Sequence, residues 1–326
     1  MKNFSVSSIA ALVVLCVAIG AGDVLGAGSY PEKPITLIVQ SSAGGGSDIF
    51  ARTLASAIQK ENLLPQPIVV ENKPGGSGGI AYAYVAGKKK DPYYILTATP
   101  SFLTTPLLGK TPVGLKDFTP IANFAFDEFM LMVGVNSNFK SLNEIVAYAK
   151  ANPKKITIGG TQFGGSDSIA IYQFEKAAGV RFNYVVFNSG GEVNAALLGG
   201  HVEMASTNPG EALELYKAGK VRILGVLSEK RLADVPEIPT MKEQGINALF
   251  VQNRGLAAPA DIPPAARKVL EDALLKYSKT ETFKKYCKDN MLSVAWMDGA
   301  SFGKFLDEWN GKYAAILTDM GLIKKK

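Results

Sequence analysis

The stretch Ile35-Thr36-Leu37-Ile38-Val39-Gln40-Ser41-Ser42-Ala43-Gly44-Gly45-Gly46-Ser47-Asp48 decides the fold. A short β-branched apolar run stops at a glycine-rich turn. Behind the turn Ile49, Phe50, Thr53, Leu54, Ala57 and Ile58 recur at helical spacing, with Asp48 in the first turn. The order is strand, loop, helix. It returns at Ile156-Thr157-Ile158, followed by Gly159, Gly160, Thr161, Gln162, Phe163, Gly164, Gly165, Ser166 and Asp167 and a second helix-like run. The words Gly45-Gly46-Ser47-Asp48 and Gly164-Gly165-Ser166-Asp167 are identical, so the chain reads as two similar halves, each opening on a parallel sheet.

Further strand and loop pairs extend both halves. They are Tyr93 to Ala98 before Thr99, Pro100 and Ser101; Tyr184 to Phe187 before Asn188, Ser189 and Gly190; and Val202 to Ala205 before Ser206, Thr207, Asn208 and Pro209. Alternation of strands with helical stretches predicts open α/β sheets, which bind ligands at the carboxyl ends of their strands. Phe129 to Val135 and Leu249 to Ala257 are strand-like runs expected to cross between the halves. The expected organisation is 1–27 leader, 28–125 first lobe, 126–250 second lobe inserted into it, and 251–326 returning to the first lobe with C-terminal helices.

The leader reading rests on Lys2, the apolar run Ile9 to Ile19, and small residues through Gly26 and Ala27. That run is shorter than the roughly 20 residues of a membrane span, and its order is that of a secretory signal. Leu15 before Cys16 is too bulky for a lipoprotein signal. The mature chain would keep only Cys287, so no intrachain disulfide is available and the core must carry stability. With 47% hydrophobic and 20% charged residues among 326, the chain can build that core. Thirty-five Lys and Arg against 29 Asp and Glu leave +6, three of it at Lys324, Lys325 and Lys326, which gives no basic face for nucleic acid.

A glycine-rich turn entering a helix points several unsatisfied N–H groups at one place and so makes an anion site. The candidate binding residues are Ser42, Ala43, Gly44, Gly45, Gly46 and Ser47 in the first loop, and Thr161, Gln162, Phe163, Gly164, Gly165 and Ser166 in the second. Thr99, Ser101, Asn188 and Asn208 join them from neighbouring strand ends. Neither loop holds Lys or Arg, which suits a small carboxylate better than a polyphosphate. Ser47 and Ser166 are equally readable as helix caps or as ligand contacts. Asp48 and Arg52, one turn apart, read as a structural pair.

Enzyme readings fare less well. Gly109-Lys110-Thr111 ends like a P-loop, but Thr104 stands where the leading glycine is needed, and the first loop lacks the G-x-G-x-x-G spacing of dinucleotide sites. Gly75, Ser77 and Gly79 match a G-x-S-x-G elbow, with His201 downstream as the sole histidine, so a Ser77 and His201 hydrolase is the alternative. Asn72, Lys73 and Pro74 spoil the abrupt strand exit such an elbow needs. One histidine excludes a multi-histidine metal site, and no cofactor is implied.

Taken in order, Ala43-Gly44-Gly45-Gly46-Ser47-Asp48, Glu71-Asn72-Lys73-Pro74-Gly75-Gly76-Ser77-Gly78, Asp117-Phe118-Thr119-Pro120-Ile121-Ala122, Ala196-Leu197-Leu198-Gly199-Gly200 and Ile238-Pro239-Thr240-Met241-Lys242-Glu243-Gln244-Gly245 resemble the extracytoplasmic solute receptors of tripartite tricarboxylate transporters, the Bug family. The resemblance implies a two-lobed Venus-flytrap of the periplasmic-binding-protein fold, each lobe a mixed, mostly parallel sheet flanked by helices. It implies a non-enzymatic, monomeric periplasmic receptor that grips a di- or tricarboxylate or related acid and delivers it to membrane subunits. A receptor serving a sensor kinase has the same fold. The grip falls on Ser42 to Ser47 and Thr161 to Ser166. Many relatives carry Pro and an aromatic residue where this chain has Gln40 and Ser41, so a more polar wall is expected. Arg254 is left between two roles, pairing with a ligand carboxylate or bonding lobe to lobe.

Overall fold

The computed structural model describes residues 30–324, and the leader expected over 1–27 lies outside them. From Pro31 onward the chain packs as one unit built on two sheets. The first sheet begins with β1 (Ile35–Val39), which pairs in parallel with β2 (Ile68–Asn72) and β3 (Tyr94–Ala98). Strand β1 lies inside the sheet, and four of its five residues are buried, as a strand covered on both faces requires. It feeds α1 (Gly46–Lys60), whose buried Phe50, Ala51, Leu54, Ala57 and Ile58 form one stripe against the sheet. Helices α2 (Gly79–Ala86) and α3 (Ser101–Leu107) follow β2 and β3.

The chain leaves this sheet on β4 (Phe118–Glu128) and enters the second on β5 (Met130–Gly134), with Phe129 the single residue between. After α4 (Leu142–Ala151) the second sheet grows by β6 (Thr157–Thr161), α5 (Ser166–Ala178), β7 (Asn183–Phe187), α6 (Gly190–Leu198), β8 (Met204–Thr207), α7 (Pro209–Lys217) and β9 (Val221–Val226). Its strand order is β7-β6-β8-β5-β9. The return comes through Phe250 into β10 (Val251–Pro259), then α8 (Pro264–Tyr277), α9 (Glu281–Asp289), β11 (Ser293–Asp298) and α10 (Gly299–Asp319). The first sheet thus reads β11-β4-β10-β3-β1-β2.

Both lobes are mixed α/β, with a larger antiparallel share than strand–helix alternation predicts. Strands β4 and β10 run against each other and β10 runs against β3, while β5 runs against β8 and β9. The reason is the route: strands that leave and re-enter a sheet need no crossover helix between them, so they pair head to tail. The crossing runs are narrower than the sequence suggests, because most of Phe129 to Val135 is strand β5 and Val251 to Ala257 is strand β10. At the joint itself, Phe129 O accepts from Leu227 N at 2.8 Å, Leu227 O accepts from Phe250 N at 3.1 Å, and the Phe129 and Phe250 rings lie 5.4 Å apart. Strand β6 also runs through Gly159 and Gly160, which the sequence reading placed in the loop. Side chains of Val193 and Tyr184 fill the space a Cβ would need at those positions.

Apolar packing carries both lobes. Under the first sheet Phe124 is the hub of an aromatic cluster, with Phe50 at 5.3 Å, Trp296 at 5.4 Å and Tyr277 at 5.8 Å between ring centroids. Under the second, Phe174 stacks on Phe182 at 5.9 Å. Cys287 is a free, buried thiol that burial pushes up to about 12. Among the described residues no helix is long and apolar enough to cross a membrane.

Candidate functional site

The carboxyl ends of β1, β3, β6 and β8 face one another across a cleft of about 40 Å³. Larger hollows of about 490 and 700 Å³ lie elsewhere, one on the outer edge of the second lobe and one beside Trp309. The small cleft is the candidate because buried polar side chains and four helix N-termini, those of α1, α5, α6 and α7, converge only there among these hollows. The lobes meet at its edge, where a backbone hydrogen bond joins Ser42 of the first to Asn188 of the second, so they stand closed.

Each side of the cleft is built in the same way. In the first lobe Asp48 bends back to accept from Gly44 N at 3.0 Å and is held by Arg52 at 3.0 Å and Asn72 at 2.9 Å. In the second, Asp167 accepts from Thr161 N at 3.0 Å and from the Thr161 hydroxyl. The two carboxyl groups fix the two loops, and the first turns of α1 and α5 behind them line the cleft. Their environments differ sharply. Burial raises Asp48, but hydrogen bonds from Arg52, Gly44 and Asn72 hold it below its ordinary value. Asp167 has no such cation, and burial, with help from Glu211, pushes it up to about 7.

This difference carries a prediction. A raised carboxyl binds protons more tightly folded than unfolded, so Asp167 adds stability that is complete below about 3.8 and is lost as pH rises through about 7. Melting curves between pH 5 and 8 should show Asp167→Asn losing a slope of up to ~1.4 kcal/mol per pH unit relative to the parent. Parallel curves for the two proteins would contradict it.

Of the residues singled out from sequence, Gly45, Gly46, Ser47, Thr99, Thr161, Gln162, Ser166 and Asn208 line the cleft. The others do not. Ser42 N donates to Asn188 O across the lobes at 3.3 Å, and Ser101 is turned inward onto the Tyr82 hydroxyl at 2.5 Å. The Phe163 ring stands at the outer rim under Lys110 Nζ, 4.9 Å away. Gly164 packs against Leu108, Ala43 and Gly44 form the exposed shoulder of the first loop, and Gly165 serves as the cap of α5. Neither serine caps a helix. The caps are Gly45 and Gly165, and the Ser47 hydroxyl instead accepts from Gln40 Nε2 at 3.1 Å.

Gln40 and Ser41 form part of the wall. Gln40 also donates to Thr99 Oγ1 at 3.3 Å and accepts from Thr97, which locks the polar surface in place. Asp167, Ser189 and Gly190, read from sequence as loop residues but not as site residues, also reach the cleft, as do Glu211 and Gln252, which sequence reasoning missed. Arg254 belongs to the first sheet, where it forms an ion pair with Asp127 on the adjacent strand and reaches Asn208 Oδ1 of the other lobe at 3.5 Å. Burial opposes the charge on both partners. It pushes Asp127 up to about 6 against the pull of Arg254, while Asp127 and other nearby anions keep Arg254 charged. The guanidinium lies directly under the start of α1, so that a Cβ on Gly46 would stand 2.5 Å from its Nη2. Its Nε is buried without a protein partner among the described residues.

The hydrolase alternative finds no geometry here. Ser77 Oγ meets Phe163 O at 3.4 Å and Lys110 Nζ at 3.2 Å, while exposed His201 sits beside Gly199, before the end of β8 remote from the cleft. Among the described residues no group of three His, Cys, Asp or Glu side chains is placed to hold a metal ion.

Comparison with known proteins agrees with this architecture. Residues 50–322 match the family described as the tripartite tricarboxylate transporter family receptor. A protein of Cupriavidus necator, described as the UPF0065 protein in the gbd 5' region, is 32% identical over 301 residues, 91% of this chain and 90% of its own. The solved periplasmic binding protein BugD superposes with a TM-score of 0.85 at 24% identity, covering 91% of this chain and all of its own. MatC from Rhodopseudomonas palustris, solved with bound malate, superposes at 0.81 and 22% identity, covering 88% of this chain and 100% of its own. The match to the family model spans most of the sequence, so this chain belongs to the tripartite tricarboxylate transporter receptor family, a family of binding proteins rather than enzymes.

Proposed function

We propose that the protein is a periplasmic receptor that takes a small organic carboxylate between its lobes, closes over it, and presents it to the membrane subunits of a tripartite transporter. The observation that carries this reading is the convergence of the first turns of α1 and α5, with the hydroxyls of Ser47, Thr99 and Ser166, on one closed cleft. Helix N-termini and hydroxyls stabilise an anion without a dedicated cation, since Arg254 is already engaged by Asp127. The malate held by MatC is a ligand of that chemistry. Entry requires the lobes to part about the Phe129, Leu227 and Phe250 joint, and a ligand touching both lobes favours the closed form.

A ligand bound only by the folded protein stabilises it by about 2.7 kcal/mol at a hundredfold excess over Kd. In a thermal-shift screen of organic acids, neutral sugars and cations, at least one acid should therefore raise Tm by several degrees. Shifts confined to sugars or cations would overturn the reading.

A further inference from the structure

The cleft already contains an anion of its own. Glu211, in the first turn of α7, extends its carboxylate across the gap to accept from Gly46 N, the first helical amide of α1. Its second oxygen accepts from Thr207 Oγ1 at 3.1 Å. The same carboxylate lies against the start of α6, where a Cβ on Gly190 would overlap it. Three helix N-termini therefore surround one side chain that belongs to the second lobe and is bonded to the first. This is the seat on α1 that a ligand carboxylate would otherwise take. The buried Arg254 already faces two anions, being paired with Asp127 and close enough to Glu211 for that carboxylate to help keep it charged.

We propose that Glu211 determines the class of ligand: it keeps the α1 seat in the closed form, so the carboxylate this receptor holds carries a hydrogen-bond donor, ammonium or amide, at its far end instead of a second carboxylate. The inference rests on the carboxylate reading above and narrows it. The ligand carboxylate is left with the α5 turn, where Gln162 and Ser166 line the cleft. Its other end meets Glu211, which accepts a proton donor readily and repels a like charge at hydrogen-bond distance. A side chain that merely latched the lobes together would change every affinity by one factor. A side chain that reads the ligand changes the ratio between ligands.

The test is calorimetric titration of the full chain and of Glu211→Gln with matched series of three to six carbons, each comprising the diacid, its monoamide and the ω-amino acid; at four carbons these are succinate, succinamate and 4-aminobutyrate. The parent should bind the amide or amino member at least about tenfold more tightly than the diacid, a difference of about 1.4 kcal/mol. In Glu211→Gln the diacid should gain and the amino acid should lose, closing or reversing that ratio. Glu211→Ala, judged by the same ratio, serves if Glu211→Gln folds poorly. A parent that binds the diacid as well as or better than its partners, or a ratio unchanged in both variants, overturns the assignment of Glu211 and leaves the carboxylate reading standing. Failure of every member of every series to bind overturns both.

Discussion

Arg254→Met is expected to lower the unfolding free energy by about 3–5 kcal/mol near neutral pH, the cost typical of removing one partner from a buried ion pair. Arg254 and Asp127 are 4% and 1% exposed, so neither charge can fall back on water once its partner is gone. Methionine fills much of the volume but leaves Asp127 facing Gln252 alone, at 3.5 Å. The carboxyl can escape the penalty only by taking up a proton. It already sits at about 6 with the guanidinium present, and without that partner it moves higher. The loss should therefore be larger at pH 7.5 than at pH 5.5, and Asp127→Asn in the same background should recover part of it. Urea titrations followed by the fluorescence of Trp296 and Trp309 check this. Equal stability of parent and variant at both pH values would show that the pair is not buried as described.

Gly165→Ala is expected to weaken ligand binding by about a hundredfold, near 2.7 kcal/mol. The added Cβ would stand 2.6 Å from Gln162 O, and that oxygen is backbone, fixed by the 2.5 Å bond from Gly165 N. The turn must open, which moves Gln162 and Ser166 out of the cleft. Gly44→Ala is the comparison that separates strain from obstruction. Gly44 has φ +82°, but nothing lies within 4 Å of its Cβ position. It should cost about 1–2 kcal/mol of backbone strain and leave the α1 amides in place. Calorimetry on both variants, using the acid identified by thermal shift, distinguishes them. Equal affinity for parent and Gly165→Ala would mean that the α5 turn does not touch the ligand.

What could be read from the sequence was what is encoded locally. Ile35 to Val39 followed by a glycine turn, an acid and a helical stripe specifies strand, loop and helix within some twenty-five residues, and its repetition from Ile156 announces the second lobe. The cleft was legible only where it is made of those loops. Glu211 meets Gly46 across 165 positions, and Arg254 meets Asp127 across 127, so nothing in either neighbourhood signals the partner. Pro209-Gly210-Glu211 reads as an ordinary acidic first turn, which is also true of its own helix. The glycines misled in one respect. Gly159 and Gly160 look like loop residues by composition, but they are strand residues whose missing side chains admit Val193 and Tyr184. The two serines read equally as caps or as ligand contacts, and the structure gives the cap to the preceding glycines.

The central claim is that the ligand sits between the first turns of α1 and α5, one in each lobe. Titration of isotopically labelled protein with that acid, followed through backbone amide resonances, tests it most directly. The account predicts that Ser47 and Ser166, one in each lobe, move together and saturate at the same ligand concentration. Large shifts confined to the hollow beside Trp309, with both serine amides unmoved, would contradict it.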